Sequence, residues 1–362
     1  MELLGKSQEE LREFCRGLGE PAYRGGQIYH ALHAERKFRV AQMTNLPAAL
    51  RERLSKETRI TLPEVKQRFA SADGSVRYLF ALSSEEEKIA VKPASIEAVF
   101  MPSAGRQTIC ISTQAGCAVD CHFCLTAQLG LIRNLSAGEI VAQVLLPLDE
   151  HQAQLAPQTN IVLMGQGEPL LNFEPVMAAV RIMLDAGGLG ISPKHVTLST
   201  SGIVPGIARL GQEKVRPKLA ISLNASNDEQ RDALMPINKK YPLSALLEAC
   251  RNYPLRTWEH LTFEYVMLGG LNDSAEDARR VVRMLAPLKS VKVNLIPWNP
   301  GELPYQESSE ERIEEFRRLL VDCGVPAFVR YSRGRDVMAA CGQLALLNIS
   351  NANVEQLFPG NL

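Results

Sequence analysis

The chain has 362 residues, of which 46% are hydrophobic and 22% charged, the profile of an ordinary globular protein long enough for one large α/β domain and a smaller one. Lys plus Arg equals Asp plus Glu at 40 each, which excludes a strongly basic or acidic protein and gives no global sign of a nucleic-acid partner. No apolar run approaches the roughly 18 residues that span a bilayer, and the opening MELLGKSQEELREF mixes acids with apolar residues, unlike a signal or transit peptide. A cytoplasmic location is therefore expected, where cysteines act as ligands or reactants more often than as disulfides.

Residues 1–60 read as helices, with a small local excess of Lys and Arg. SQEELREFCRGLG (7–19) opens on Ser-x-x-Glu, a capping box, and closes on Gly. Two alternating runs in VKQRFASADGSVRYLFAL then flank Ala72-Asp73-Gly74-Ser75, a hairpin signal. From Gln107 on, strand-like and helical stretches alternate. QTICIST, NIVLMG, HVTLST, KLAISLNA, LTFEYVML and VKVNLIPW are separated by helical patterns, and a last helix, SSEERIEEFRRLLVDCG, leads into AFVRYS. This rhythm predicts parallel strands with crossover helices. Six repeats before the last unit fall short of the eight of a full barrel, so a partial (β/α)6 barrel is expected. The organisation read from the sequence is a helical domain at 1–60, a β-hairpin linker at 61–100, a barrel at 101–345 and a tail at 346–362.

In such folds the active site lies at the C-terminal ends of the strands. GCAVDCHFC, GQGEP, STSG, SLNAS and PWNP all directly follow predicted strands and so share one rim. Cys117, Cys121 and Cys124 form CxxxCxxC, three soft ligands in eight residues. A zinc site or an electron-transfer cluster wants a fourth protein ligand. His122 directly follows Cys121 and is poorly placed to converge with it. Cys15, Cys250 and Cys323 fall on helices and read as small buried hydrophobes. Cys110 and Cys341 remain; by their neighbours alone each reads as core packing. Three thiolates on a [4Fe–4S] cluster would leave one iron open to a substrate. Glu168 offers a carboxylate for an ammonium group, and Ser199, Ser222, Asn224 and Asn299 are short polar groups suited to a ribose or carboxylate, although a cap or turn role explains any one of them alone.

A CxxxCxxC loop after the first strand of a βα barrel is similar to that of the radical S-adenosylmethionine (SAM) superfamily. Beyond it, ISTQAGCAVDCHFCLTAQLGLIRNL, LMGQGEPLLN, VTLSTSG, LMPINKKYPL, EYVMLGGLND, NLIPWNP and RGRDVMAACGQL, together with LGEPAYRGGQIYHAL near the N-terminus, resemble the RlmN/Cfr family of RNA adenine methyltransferases over nearly the whole chain. The resemblance implies a [4Fe–4S] cluster on Cys117, Cys121 and Cys124, and SAM, two per turnover, held by Gly167, Glu168, Ser199, Ser222, Leu223, Asn224 and Asn299. It implies that Cys341 carries an S-methyl intermediate, that Cys110 resolves the RNA adduct by a transient disulfide with Cys341, and that Glu97 accepts a proton. The implied substrates are an adenosine of the peptidyl transferase centre in 23S rRNA and an adenosine of tRNA. The implied reductant is a donor such as flavodoxin, and the expected form is a monomer. Overall similarity favours methylation at C2 over C8 of the base.

Two positions depart from the family pattern: Asn224 stands where many relatives have His, and Gln166 where many have Met. Arg12, Arg16, Arg24, Arg51, Arg53 and Arg59 are candidates for phosphate contacts, as is the basic RGRD segment from Arg333 to Asp336. The rival readings are C8 methylation, a non-catalytic iron–sulfur protein and a structural zinc protein with RNA-binding helices.

Overall fold

The computed structural model describes residues 1–82, 94–301 and 303–344; the expected tail at 346–362 lies outside them. The first segment forms α1 (Gln8–Gly17), α2 (Tyr23–His33) and α3 (Ala48–Glu57). Ser7 and Glu10 make the expected capping box, each satisfying a backbone N–H at the start of α1. The hairpin follows as β1 (Glu64–Ala70) and β2 (Val76–Ala81). It is continuous with the main sheet, because β2 pairs antiparallel with β3 (Ser95–Ser103) and β3 with β4 (Arg106–Cys110).

After β4 comes a ribbon of β5 (Gln114–Gly116) and β6 (Leu131–Asn134), with the single turn α4 (Leu125–Gln128) between them. Then α5 (Ala137–Glu150), β7 (Gln158–Leu163), α6 (Phe173–Leu184), β8 (Val196–Thr200), α7 (Val204–Gln212) and β9 (Lys218–Ser222) alternate. Next are α8 (Asp228–Leu234), α9 (Leu243–Arg251), β10 (Leu261–Met267), α10 (Ala275–Leu285), β11 (Val291–Pro297), α11 (Glu310–Asp322) and β12 (Ala327–Val329). The sheet order is β1-β2-β3-β4-β7-β8-β9-β10-β11-β12, and every pairing from β4 to β12 is parallel. The repeats expected from the sequence are these parallel strands, so their C-terminal ends share one rim.

One continuous core joins the helical segment to the barrel. Leu11, Ile28, Leu32 and Leu54 belong to the same buried cluster as Ile109, Ile161, Leu198 and Leu219 of the strands. Along β4, Ile109 packs outward into this core, while Arg106, Thr108 and Cys110 face the barrel interior. Among the described residues no helix is long and apolar enough to cross a membrane.

Within that core His33 is fully buried against Tyr29, ring centroids 4.6 Å apart, and neither ring nitrogen has a hydrogen-bond partner. Burial holds its imidazole down to about 4, against the partial opposition of Asp185. The unfolded chain takes up a proton below its ordinary value of about 6.5, which the folded form refuses until about 4. Stability therefore falls as pH drops through that window, by up to about 3 kcal/mol. Urea unfolding at pH 7 and pH 4.5 should show this loss in the wild type and a smaller one in His33→Phe.

Candidate active site

The cysteine loop begins where β5 turns back. Gly116 has φ +72°, and a Cβ there would lie 1.8 Å from the carbonyl oxygen of Gly130, so only glycine permits the ribbon that launches the loop. The Cys117 N–H donates to that same carbonyl at 2.9 Å. The three cysteines then line one cavity at the rim, while His122 is exposed beside Asp120 and does not line it. Burial pushes the Cys117 thiol up to about 11 and those of Cys121 and Cys124 upward too, with Cys124 and Cys117 adding like-charge repulsion at Cys121.

Such a trio becomes thiolate only when cationic charge is brought to it, as iron would do. Fully buried Arg231 is a protein cation acting on Cys121, and burial lowers it to about 10. Its guanidinium also ties the rim together, donating to the carbonyls of Ser201 (2.6 Å), Ser222 (3.1 Å) and Leu223 (3.1 Å). Among the described residues no three His, Cys, Asp or Glu side chains converge on a single metal ion. A cluster spreads its thiolates over separate irons, so the donor set fits a [4Fe–4S] cluster bound through Cys117, Cys121 and Cys124.

The polar rim residues surround the same cavity. Gly167, Glu168, Ser199, Ser222, Asn224 and Asn299 all line it. Gly167 has φ +95° and lies against Gln114, with 2.5 Å from a hypothetical Cβ to the Gln114 Cβ. Glu168 is buried; Oε1 accepts from Leu170 N–H at 3.0 Å, and Oε2 from the N–H and hydroxyl of Ser201, both at 2.7 Å. Burial raises its pKa and these bonds oppose the rise. The Thr200 side chain adds a further bond, so the carboxylate is held rigidly at the cavity wall, where its charge faces a ligand ammonium. Ser199 and Ser222 end adjacent strands with their hydroxyl oxygens 3.4 Å apart. Leu223 is the exception: its side chain is fully buried in the core and lines no cavity.

Asn224 adopts φ +56°, a left-handed conformation that asparagine tolerates well. Its Oδ1 accepts from Val266 N–H at 2.9 Å and its carbonyl from Asn272 at 2.8 Å, so the amide braces the β9–β10 junction. Gln166 is less well served. It is fully buried, and neither atom of its amide has a partner among the described residues.

Cys341 is brought to the cysteine loop by the backbone. Leu125 N–H donates to the Gly342 carbonyl at 2.8 Å, and the Thr126 hydroxyl to the Leu344 carbonyl at 2.5 Å. Asn299 Nδ2 donates to the Ser332 hydroxyl at 2.9 Å and to the Cys341 carbonyl at 3.3 Å. The Cys341 side chain is open to the cavity yet crowded on its other sides. Desolvation, then the charges of Glu264 and Cys124, push its thiol up to about 11. Cys110 and Cys341 both line a second, larger cavity that runs down the barrel interior. Cys110 is pushed up by burial first and then by Cys341. All eight cysteines are free, so the disulfide implied for Cys110 and Cys341 is not formed here.

The structure departs from several expectations. Glu97 is fully buried in an ion pair with Arg77 of β2 and lines neither cavity, because Arg77 fills the space its carboxylate faces. Cys323 is exposed instead of buried: it caps α11 just before Gly324, where the chain has left the helix's buried face. RGRD is no free basic patch. Arg333 bonds to Asp73, and Asp336 accepts from Ser71 at 2.6 Å and Ala72 N–H at 3.0 Å, clamping this segment to the hairpin turn. Of the six N-terminal arginines, Arg12, Arg16, Arg53 and Arg59 pair with local glutamates. Sequence reading also missed Glu264, which lines both cavities and accepts from Asn294 at 2.9 Å, and Trp298, which walls the rim cavity. A lone Glu inside the apolar run LTFEYVML was the available signal for the first.

A parallel-strand barrel that carries three thiols lining one cavity and a ring of polar loops on its C-terminal rim has the architecture of a radical SAM enzyme. The family model for the radical SAM superfamily matches residues 111–284, and that for the ribosomal RNA large subunit methyltransferase N-terminal domain matches residues 1–60. The chain is 50% identical over 345 residues to a probable dual-specificity RNA methyltransferase RlmN of Koribacter versatilis, covering 90% of this chain and 96% of the relative. It is 46% identical over 346 residues to the dual-specificity RNA methyltransferase RlmN of Anaeromyxobacter dehalogenans, covering 93% of this chain and 90% of the relative. The crystal structure of a radical SAM methyltransferase from Sphaerobacter thermophilus matches with a TM-score of 0.87 at 41% identity, over 95% of this chain and 99% of that one. The chain belongs to the RlmN family of dual-specificity RNA methyltransferases and is a radical SAM RNA methyltransferase.

The unpartnered Gln166 amide gives a direct stability test. Gln166→Met removes a buried polar group without a bond while keeping the volume, so the variant should be more stable by about 1–2 kcal/mol in denaturant unfolding.

Proposed function

We propose that this enzyme methylates C2 of adenosine 2503 in 23S rRNA and of adenosine 37 in tRNA, with Cys341 as methyl carrier and Cys110 as resolving thiol. The observation that carries the proposal is the position of Cys341, which borders both the rim cavity with its thiol trio and the interior cavity that also reaches Cys110. When bound, the cluster and two SAM molecules per turnover supply a methyl group and a 5′-deoxyadenosyl radical. The chain's own residues do the rest. Cys341 Sγ loses its proton and takes the methyl group. That methyl then gives up a hydrogen atom, and the resulting methylene carbon bonds to C2, an electron-poor sp² carbon that a radical can attack. Cys110 Sγ finally bonds to Cys341 Sγ as the Cys341 sulfur–carbon bond breaks, and the Cys110 thiol proton completes the new methyl group. The adduct gives up its C2 proton and its unpaired electron, the electron going to the oxidised flavodoxin-type carrier. Two electrons from a thiol reductant later restore both cysteines.

The polar rim groups Gly167, Glu168, Ser199, Ser222, Asn224 and Asn299 orient SAM in this scheme, with Leu223 contributing only through its backbone. The N-terminal helices assist RNA binding, a donor such as flavodoxin delivers the electron for radical formation, and the monomeric enzyme works in the cytoplasm. The C2 proton goes to a carboxylate. Glu97 is the one implied by resemblance, whereas Glu264 is the one that faces the cysteines.

Cys341→Ala should retain its iron–sulfur absorbance and yield no methylated RNA. Cys110→Ala should accumulate RNA crosslinked to protein on denaturing gels, and normal turnover by this variant would defeat the relay. Nucleoside mass analysis of the wild-type product should show 2-methyladenosine; 8-methyladenosine alone would assign the other regiochemistry. Glu264→Gln and Glu97→Gln separate the two carboxylates: the one whose loss accumulates crosslinked RNA is the proton acceptor, and Glu264 is expected.

A further inference from the structure

The interior of a closed (β/α)8 barrel is filled by layers of bulky branched side chains. Here the interior that Cys110 and Cys341 line is open, with a volume of about 600 Å³, and its walls include the polar side chains of Thr108, Asn160, Thr197 and Asn294. At the far end, where the strands begin, the walls carry Arg106, Lys194, Lys218 and Lys292. Arg106 and Lys218 open β4 and β9, Lys292 is second in β11, and Lys194 lies just before β8. Among the described residues none of the four is in a salt bridge, and Glu264 is the one carboxylate lining this cavity. Burial lowers Lys218 and Lys292, and the charge of Lys292 adds to the effect on Lys218. Burial, Lys218 and Lys194 likewise hold His195 below its ordinary value.

Glu259 and Glu264 offset part of the charge at Lys218 and Lys292, but four cations outside any salt bridge among the described residues still leave the cavity wall net positive and attractive to an anion. The contrast with the N-terminal arginines, most of which already hold glutamates, is direct. Distance fits as well. Arg106 precedes Cys110 by four positions on one strand, ~13 Å at the strand rise. That is the scale of one nucleotide from its phosphate to the far edge of its base. We propose that the far mouth of the barrel, ringed by Arg106, Lys194, Lys218 and Lys292, binds the phosphodiester groups flanking the flipped target nucleotide, so that RNA enters from the strand N-termini, opposite the SAM rim. The inference rests on the RNA-methylation reading above. The two faces of the cysteine pair are thereby divided: cofactor on the rim side, base and phosphates on the interior side.

The test uses full-length, cluster-reconstituted protein with Lys218→Gln, Lys292→Gln and the double variant, and a tRNA and a 23S rRNA fragment as probes. Removing one of several mutually repelling charges leaves the fold intact, so the thermal midpoint should be unchanged or raised. Each single variant should bind RNA about fivefold more weakly. The slope of log K against log salt should shrink by about 0.7 per lost single-strand phosphate contact. The methyl content of the Cys341 peptide, read by mass spectrometry, should match wild type, because loading Cys341 uses no RNA. Unchanged affinity in the double variant overturns the proposal, and so does weaker binding with an unchanged salt slope. A wild-type protein that neither binds these RNAs nor carries a methyl group on Cys341 fails the functional reading itself, a result distinct from either.

Discussion

Two hydrogen bonds hold this enzyme's chemistry together: Leu125 N–H to the Gly342 carbonyl and the Thr126 hydroxyl to the Leu344 carbonyl. They join the cysteine loop, next to the first parallel strand, to a turn more than two hundred residues later. Both acceptors are backbone carbonyls, so the register of Cys341 against the thiol trio is set by main-chain geometry at positions 342 and 344 together with the hydroxyl of Thr126. Asn299 adds a third tie from the β11 loop. The far end of the same segment is anchored through Asp336 and Arg333 to the β1–β2 turn. The hairpin thus helps position the segment that carries Cys341.

Desolvation is the second organising force. Cys110, Cys117, Cys121, Cys124 and Cys341 all sit where burial favours the neutral thiol. An unloaded site is therefore a poor nucleophile, and reactivity depends on the cations that arrive with iron and SAM. Arg231 works in the same direction, since its guanidinium organises three rim carbonyls while acting on Cys121. Among the described residues the cations at the opposite mouth are in no salt bridge. One barrel carries two electrostatic ends with the cysteine pair between them.

The strands, the capped helices and the hairpin were legible because each is a local matter of periodicity and turn chemistry: Ser7 with Glu10, and Ala72 to Ser75. The rim loops were legible because parallel topology sends every strand's C-terminal end the same way. The Arg77–Glu97 pair was not, since it depends on a diagonal across two antiparallel strands. Cys323 was misjudged because one residue past a helix's end the buried face no longer continues. Lys218 and Lys292 carry no local signal of their neighbourhood, because only the closing of the strands brings them into one cavity.

The sequence by itself determined the thiol trio, the capped helices and the alternation that makes a barrel, because those follow from spacing and turn chemistry within a few residues. Only the tertiary structure decided which carboxylate faces the cysteines, which cysteine meets the cluster loop and where unpaired positive charge collects. Those are properties of side chains from distant strands sharing one interior, and inward or outward orientation changes with each single step along a strand.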